Sequence, residues 1–181
     1  MRPLLTILLF FITTSIFASE GYLVYVPPDT RQHNWRGSCV FASITTAMRG
    51  AGLWDEAEQF WSKYRGPGNP SNTKARLDKS GIHYKMIYNS DQQAMKEALS
   101  QGRMVACGWT PRHFATLVGI IDGDAYVVDN NRPGKYIVQS WSRFLQCHRQ
   151  AGGWGVIILD GKPGKPITQN DLKGYEVVYE E

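Results

Sequence analysis

The sequence predicts one α+β domain, with helices in its N-terminal half packed on a mostly antiparallel sheet that follows. Three observations carry this prediction. The segment Ser38–Arg49 spaces its apolar residues as one face of a helix does. The segment His113–Ile121 is nearly all apolar, as in a strand buried on both faces. A turn signal at residues 122–124 then precedes Ala125–Asp129, which is typical of a returning strand.

The first residues have the features of a secretory signal peptide. A short positive region precedes the mostly apolar run Leu4–Phe17, and Ala18 is followed by a polar turn. We expect residues 1–18 to be removed, although an uncleaved membrane anchor is the alternative. The mature chain is then a domain at 19–160 and a C-terminal tail at 161–181. It is expected to be secreted or periplasmic, without a stable membrane span.

The composition limits the partners that the mature chain is expected to have. The 181 residues include 20 Lys and Arg and 16 Asp and Glu, for a formal net charge of +4. The basic residues are dispersed without a run, so nothing indicates nucleic-acid binding. The spacing of Cys and His matches no zinc site, and we predict neither a metal nor a cofactor. We expect a monomer.

The N-terminal half is predicted to hold one strand and three helices. Tyr22–Val26 alternates polar and apolar residues and is rich in β-formers, so it is a short strand. Ser38 is expected to cap the first helix. Two further helices are predicted at Asp55–Tyr64 and Ser71–Lys79, each followed by a glycine that ends it.

The C-terminal half is dominated by β-formers separated by turn residues. Besides the two strands already named, strands are predicted at Ile82–Tyr88, Arg103–Trp109 and Trp154–Leu159, with an edge strand at Tyr175–Tyr179. Helices are predicted from Ser90 or Asp91 to Gln101 and from Ser140 to Cys147.

Cys39 is the candidate nucleophile among three cysteines. It falls in the first turn of a predicted helix, where free N–H groups and the helix dipole favour a thiolate and lower the pKa of the thiol. Cys107 lies in a predicted strand and Cys147 at a helix end, so neither has this environment. An odd number of cysteines in a secreted chain leaves one unpaired. The alternative for Cys39 is a buried core residue or half of a disulfide.

His113 is the candidate general base. A Cys nucleophile needs an imidazole within hydrogen-bond reach, and a polar ring at the entrance of a buried strand needs a partner. The other histidines suit surface or structural roles: His33 lies in a polar loop, His83 begins a strand and His148 follows a helix.

The group that orients His113 is expected to be Asp129 or Asn130. Asp129 follows His113 by sixteen residues, and an even offset between paired strands puts both side chains on one face. A tight turn centred on Gly123 would place Asp129 opposite Leu117 instead, so a wider turn or strand twist is needed to bring the pair together.

A side-chain amide upstream of the nucleophile is expected to stabilise an oxyanion together with the backbone N–H of Cys39. Gln32 and Asn34 are both available in the loop before the helix.

These features together resemble the papain-like cysteine peptidase superfamily, and in detail its small bacterial branch related to the double-glycine, bacteriocin-processing peptidases. The Cys-containing helix start is similar at Gly37–Ser43, the His strand at His113–Gly119 and the Asp strand at Tyr126–Asp129. The closing helix at Ser140–Phe144 and the strand at Gly155–Ile158 also fit. The resemblance spans roughly residues 32–159.

The resemblance implies a papain-like fold and a secreted cysteine peptidase that cleaves peptide bonds of a peptide or protein substrate. Cys39, His113 and Asp129 would form the triad, and a thioester acyl-enzyme the intermediate. The family typically has a glutamine six residues before the Cys; His33 stands there, so the oxyanion amide is assigned to Gln32, one residue further away. An inactive binding domain and a thiol amidase or acyl transferase acting on cell wall are the alternatives.

A free Cys39 leaves two cysteines over. We expect Cys107 and Cys147 to form one disulfide, which would close a loop of about forty residues.

Overall fold

The computed structural model describes residues 21–172 and 175–180, so the predicted signal peptide lies outside the described residues. The helices are α1 (Cys39–Gly50), α2 (Trp54–Lys63), α3 (Pro70–Ser80), α4 (Gln92–Ser100) and α5 (Trp141–Gln150). The strands are β1 (Tyr22–Val24), β2 (Tyr84–Ile87), β3 (Val105–Thr110), β4 (His113–Ile121), β5 (Asp124–Val128), β6 (Lys135–Ser140), β7 (Gly155–Ile158), β8 (Pro166–Ile167) and β9 (Glu176–Tyr179).

The strands form one sheet in the order β2-β7-β3-β4-β5-β6-β9, and β1 pairs with both β4 and β8. All pairs are antiparallel except β6 with β9. The predicted α+β class is therefore confirmed, with helices first and a mostly antiparallel sheet after them.

Each face of the sheet carries its own hydrophobic core. The first core joins α1, α2 and α3 to one face and includes Phe41, Phe60 and Leu77. The second core joins α4 and α5 to the other face and includes Met95 and Phe144. The apolar run of β4 supplies residues to both cores, which is why it lacks the alternation of a half-exposed strand.

The first helix is held against the sheet by its apolar face, and its N-terminus points into the loops at one end of the sheet. Phe41, Ile44 and Met48 of α1 are fully buried. Ser38 stands at the N-cap position, but its side chain makes no capping bond. Instead its Oγ accepts the backbone N–H of Gly66 at 2.8 Å. Ser38 therefore links the start of α1 to the loop before α3.

The turn between β4 and β5 determines which side chains meet. Two residues with positive φ, Asp122 and Gly123, make a tight hairpin turn. A bulge at Val118 then shifts the register, so that Leu117 pairs with Val127. Continuing this register puts Asp129 opposite residue 115, on the face of His113. The bulge, rather than a wider turn, therefore brings the predicted pair together.

Two parts of the sheet differ from the sequence-based prediction. The strand β6 is absent from that prediction, because Gly134 and the charged Lys135 make the segment look like a loop. The strand β8, which pairs with β1, is also absent from the prediction, whereas the edge strand predicted at Tyr175–Tyr179 is present as β9 and pairs with β6.

Candidate active site

Cys39 is the first residue of α1, and its side chain is half-buried at the end of the sheet. Burial opposes ionisation of the thiol. Hydrogen bonds from His113 and from the backbone N–H groups of Phe114 and Val40 outweigh that effect and lower the pKa of Cys39 below its usual range. The surroundings of Cys39 therefore favour a thiolate.

His113 lies between the thiol and a carboxylate. Its Nε2 is 2.7 Å from Oδ1 of Asp129, which leaves Nδ1 for the hydrogen bond to Cys39. Burial disfavours the imidazolium, but the bonds to Asp129 and Cys39 raise the pKa of His113 to about 9. The ring also packs against Trp109, with centroids 6.0 Å apart. His113 is therefore positioned to accept the proton of the thiol.

Asp129 is buried and fully engaged. One carboxylate oxygen accepts from His113 and from the backbone N–H of Asn131 at 2.9 Å, and the other accepts from Nε of Arg132 at 3.0 Å. Burial raises the pKa of this carboxyl, but these three donors lower it to below its usual range. Nη2 of Arg132 in turn forms an ion pair with Oε1 of Glu180 at 2.7 Å.

Asn130, the other candidate for orienting His113, has a different role. Its buried side-chain nitrogen donates to the carbonyl oxygen of Phe114 at 2.7 Å and to Oγ of Ser43 at 2.8 Å, and lies 3.1 Å from the carbonyl oxygen of Cys39. Asn130 therefore fixes the start of α1 to β4, and the side chain that contacts the His113 ring is that of Asp129.

The two candidate oxyanion amides lie in different places. Gln32 accepts from Nη2 of Arg49 at 2.9 Å and donates to the carbonyl oxygen of His33 at 3.0 Å. Arg49 is ten residues after Cys39 in α1, about 15 Å along the helix axis. The structure therefore does not bring the Gln32 amide to Cys39.

Asn34 lies closer to His113. Its side-chain nitrogen donates to Oδ1 of Asn131 at 2.9 Å, and the Asn131 side chain lies 3.4 Å from Nε2 of His113. The backbone N–H of Asn34 also donates to the carbonyl oxygen of Asn130 at 2.7 Å. Asn34 is thus one side chain away from the histidine.

A groove of about 200 Å³ opens directly onto Cys39 and His113. Its walls are formed largely by small and apolar residues: Gly37, Val40, Pro67, Gly68, Thr110, Pro111, Arg112, Phe114, Ala151 and Trp154. Gly68 is needed for the close approach of the walls, because a Cβ there would lie 2.7 Å from Cβ of Val40.

The tryptophan in this groove is Trp154, and Trp109 is not among the groove residues. Trp109 is buried behind His113, only 4% exposed. Trp154 packs against Phe114 with ring centroids 4.4 Å apart, and it is among the groove residues.

The predicted disulfide between Cys107 and Cys147 is wrong, because both thiols are free. Each is buried as a small apolar side chain, which cysteine tolerates without a partner. Burial raises the pKa of Cys107 to about 12. Neither thiol has an environment like that of Cys39.

The remaining histidines lie outside the groove. His83 is exposed and pairs with Asp160 at 2.8 Å. His148 is buried on the inner face of α5, where its Nδ1 lies 2.6 Å from the carbonyl oxygen of Gly108 in β3. His33 is exposed in the loop before α1.

Two residues of the site are missing from the prediction, Asn131 and Arg132. Both contact the His113–Asp129 pair and directly follow Asp129 and Asn130 in the chain. The polar run Asp-Asn-Asn-Arg after a buried strand is the signal that indicates them.

Within residues 21–172 and 175–180, no three His, Cys, Asp or Glu side chains are arranged to hold a metal ion. In the same part of the chain, every helix is too short or too polar to cross a membrane.

No protein-family model and no curated protein sequence matches the chain. Solved structures share its fold, among them two peptidases. One is a double glycine motif protease from an AMS/PCAT transporter, in complex with the leader peptide. It is 15% identical, with a TM-score of 0.54, and the match covers 76% of this chain and 94% of that one.

The other is a protein assigned as a C39-like peptidase of Bacillus anthracis. It is 11% identical with a TM-score of 0.58, and the match covers 78% of this chain and 98% of that one. The chain therefore has the papain-like fold of the double-glycine peptidases, and the predicted fold and resemblance are confirmed.

Proposed function

We propose that this chain, which has the fold of double-glycine peptidases, is a cysteine peptidase that hydrolyses peptide bonds through Cys39, His113 and Asp129. The observation that carries the proposal is the continuous chain of contacts from the buried carboxylate of Asp129 through His113 to a thiol whose pKa is lowered. A nucleophile, a base and an orienting group are the parts that thiol acyl transfer requires.

In the acylation step, His113 takes the proton of Cys39 and the thiolate attacks the carbonyl carbon of the scissile bond. A C–S bond forms, and the carbonyl π electrons move to oxygen. When this tetrahedral intermediate collapses, the C–N bond breaks and the protonated His113 gives its proton to the leaving amine. The product is a thioester on Cys39 and a free amine.

In the deacylation step, His113 takes a proton from water, and the resulting hydroxide attacks the thioester carbonyl. The C–S bond breaks, the acid product leaves and the thiolate and imidazolium are restored. Asp129 keeps the ring orientation and stabilises its charge throughout.

The oxyanion has one donor in the backbone N–H of Cys39, at the free N-terminal end of α1. We assign the side-chain donor to Asn34 rather than Gln32, because the Gln32 amide is bonded to Arg49 further along α1, whereas the Asn34 amide bonds to Asn131, on the side of His113 that faces Asp129, and has to turn from there toward Cys39. The Asn34 amide must exchange its bond to Asn131 for one to the substrate oxygen.

The substrate is proposed to be a peptide, in line with the leader peptide bound to the first structural relative. The groove at Cys39 is narrow and built on glycines, which suits an extended backbone. The location proposed for this activity is outside the cytoplasm, which depends on the signal-like sequence of residues 1–18.

An inactive binding domain is the second candidate, and the position of Gln32 favours it. Without a side-chain amide at the oxyanion, catalysis loses about 10²- to 10³-fold. The thiolate environment of Cys39 has no purpose in a domain that only binds, so we prefer the peptidase.

The test is incubation with a mixture of fluorogenic peptides, beside the same protein with Cys39→Ala, and with peptidoglycan fragments as the competing substrate. We expect peptide cleavage that is lost in the variant, and a thioester adduct on Cys39 detected by mass spectrometry after rapid acid quenching. Cleavage of peptidoglycan fragments alone would make the protein a cell-wall amidase. Absence of both activities would favour the binding domain.

A further inference from the structure

We propose that the groove is selective for peptides with acidic side chains near the scissile bond, recognised by an arginine rim made of Arg36, Arg65 and Arg112. This inference rests on the proposed function and names the substrate class of the same site. The three arginines stand on loops that surround Cys39. They are exposed.

The first half of the rim is built around one tryptophan. The guanidinium of Arg36 lies 4.9 Å from the ring centroid of Trp35, and that of Arg65 lies 5.9 Å from the same ring. Arg65 also stacks on Trp61 at 3.9 Å. Trp35 itself is 57% exposed. The aromatic faces hold the flat sides of both guanidinium groups and leave their N–H edges for an anion.

These residues are tied to the nucleophile by backbone geometry. Residues 35–38 form a turn in which Ser38 N–H donates to the carbonyl oxygen of Trp35 at 3.3 Å, and Cys39 follows directly. The bond between Ser38 and Gly66 joins this turn to the loop that carries Arg65. Arg65 stands two residues before Pro67, which lines the groove.

The backbone at Arg36 has a strained, left-handed conformation. Arg36 and Gly37 have φ of 52° and 74°. Two successive residues in this region favour Asn-Gly or Gly-Gly, and an arginine in the left-handed conformation is unfavourable because its Cβ crowds the backbone. Strain of this kind is typical of functional sites. Here it places a charged side chain over Trp35.

The second half of the rim is Arg112, on the opposite wall. It occupies the turn between β3 and β4, lines the groove and immediately precedes His113. A peptide that passes Cys39 would therefore have guanidinium groups on both sides.

No negative charge balances these arginines. The loops at residues 34–38, 65–70, 110–113 and 151–154 contain Arg36, Arg65 and Arg112 but no Asp or Glu. Among the ion pairs of the described residues, none includes these three arginines. Two guanidinium groups on one indole repel each other. A substrate carboxylate would relieve that repulsion, which gives the rim a preference for acidic peptides.

The experiment compares pairs of fluorogenic peptides that differ only by Glu or Gln at one position on either side of the cleaved bond. We expect the Glu peptide of at least one pair to have a kcat/KM about threefold to tenfold higher, and the advantage to shrink from 50 to 500 mM NaCl, roughly as screening requires. The double variant Arg36→Gln/Arg65→Gln is expected to lose the preference on one side, and Arg112→Gln on the other.

Charge reversal gives the sharpest variant. Arg36→Glu/Arg65→Glu is expected to favour Lys over Glu at the same peptide position, which a merely destabilised protein would not do. Lys96→Gln is the matched control, because Lys96 is an exposed cation on α4 on the other face of the sheet. Equal rates for all Glu and Gln pairs, or rim variants that behave like Lys96→Gln, would overturn the proposal.

Two further outcomes are distinguishable from these. If no peptide is cleaved, the proposed peptidase function fails, but the selectivity of the rim can still be tested. Binding of the same Glu and Gln peptides, measured by tryptophan fluorescence, then shows whether the rim prefers acidic peptides. The rim could instead bind a membrane. In that case the protein would sediment with phosphatidylglycerol vesicles in a salt-sensitive way, the rim variants would not, and all peptide pairs would bind equally. This result would overturn the role of the rim in substrate selection.

Discussion

The described residues include two histidine–aspartate pairs with nearly the same contact distance but different surroundings. His113 and Asp129 approach to 2.7 Å, with side chains 15% and 4% exposed. His83 and Asp160 approach to 2.8 Å, with side chains 83% and 32% exposed. Only the buried pair contacts a thiol, and only its carboxylate is also held by Arg132. The contact distance alone therefore does not distinguish the proposed catalytic pair; its burial and its third partner do.

The largest difference between the pairs is expected when each histidine is removed. His113→Ala should lower kcat/KM for peptide hydrolysis by about 10³- to 10⁴-fold, because the thiolate loses both its base and its positive neighbour. His83→Ala should leave kcat/KM unchanged within about twofold, as expected for an exposed pair. Equal losses in the two variants would remove the distinction between the pairs.

The carboxylates provide the next comparison. Asp129→Asn should lower kcat/KM by about 10²- to 10⁴-fold, because an amide stabilises the imidazolium less and can favour the wrong tautomer. Asp160→Asn serves as the control and should have no effect on turnover. Circular dichroism of both variants checks that the fold is intact, and an active Asp129→Asn protein would contradict the assigned role.

The oxyanion side gives a smaller and more discriminating effect. Asn34→Ala should lower kcat by about 10²-fold, because it removes the side-chain donor proposed for the oxyanion. Gln32→Ala should lower it less than about threefold, because the Gln32 amide bonds to Arg49. The reverse order would return the oxyanion role to Gln32 and require the loop before α1 to rearrange when substrate binds.

The pKa values of the buried pair predict a bell-shaped pH profile for hydrolysis. The rate should rise as Cys39 ionises, below the usual range of a thiol, and fall as His113 loses its proton at about pH 9. Outside the plateau, kcat/KM should change by about tenfold per pH unit. A profile without the alkaline limb, measured with a stable peptide substrate, would show that protonated His113 is not required.

The smallest effect is expected from Arg132. Arg132→Gln should lower kcat/KM by about twofold to fivefold, because Asp129 keeps two of its three donors. Lys135→Gln is the control. Lys135 forms an ion pair with Glu176 at 2.6 Å that links β6 to β9, and among the ion pairs of the described residues it has none with Asp129. If both variants behave alike, Arg132 supports only the sheet.

Much of the buried side of the site could be predicted from the sequence. A thiol at a helix start, a histidine at the entrance of an apolar strand and an acidic residue at the end of the next strand are local signals. The spacing of His113 and Asp129 is an even number of residues, sixteen, as expected when two paired strands place both side chains on one face of the sheet. The bulge at Val118 could not be predicted, because nothing in an apolar run marks where a register shifts.

The oxyanion side could not be settled from the sequence, because loop residues do not reveal where their side chains point. Gln32 and Asn34 are two residues apart, yet one bonds to the last turn of α1 and the other to the site. The free thiols of Cys107 and Cys147 illustrate the same limit. Two cysteines in a chain with a signal-like start favour a disulfide, but both side chains are buried in the core as free thiols.

The most direct test of the central claim, that His113 activates Cys39, is the rate of alkylation by iodoacetamide near neutral pH, with the modified residue located by mass spectrometry. We predict fast labelling of Cys39 alone, since Cys107 and Cys147 are buried, and labelling slowed by about tenfold or more in His113→Ala but not in His83→Ala. Equally slow labelling of Cys39 in the wild type and in His113→Ala would contradict the account.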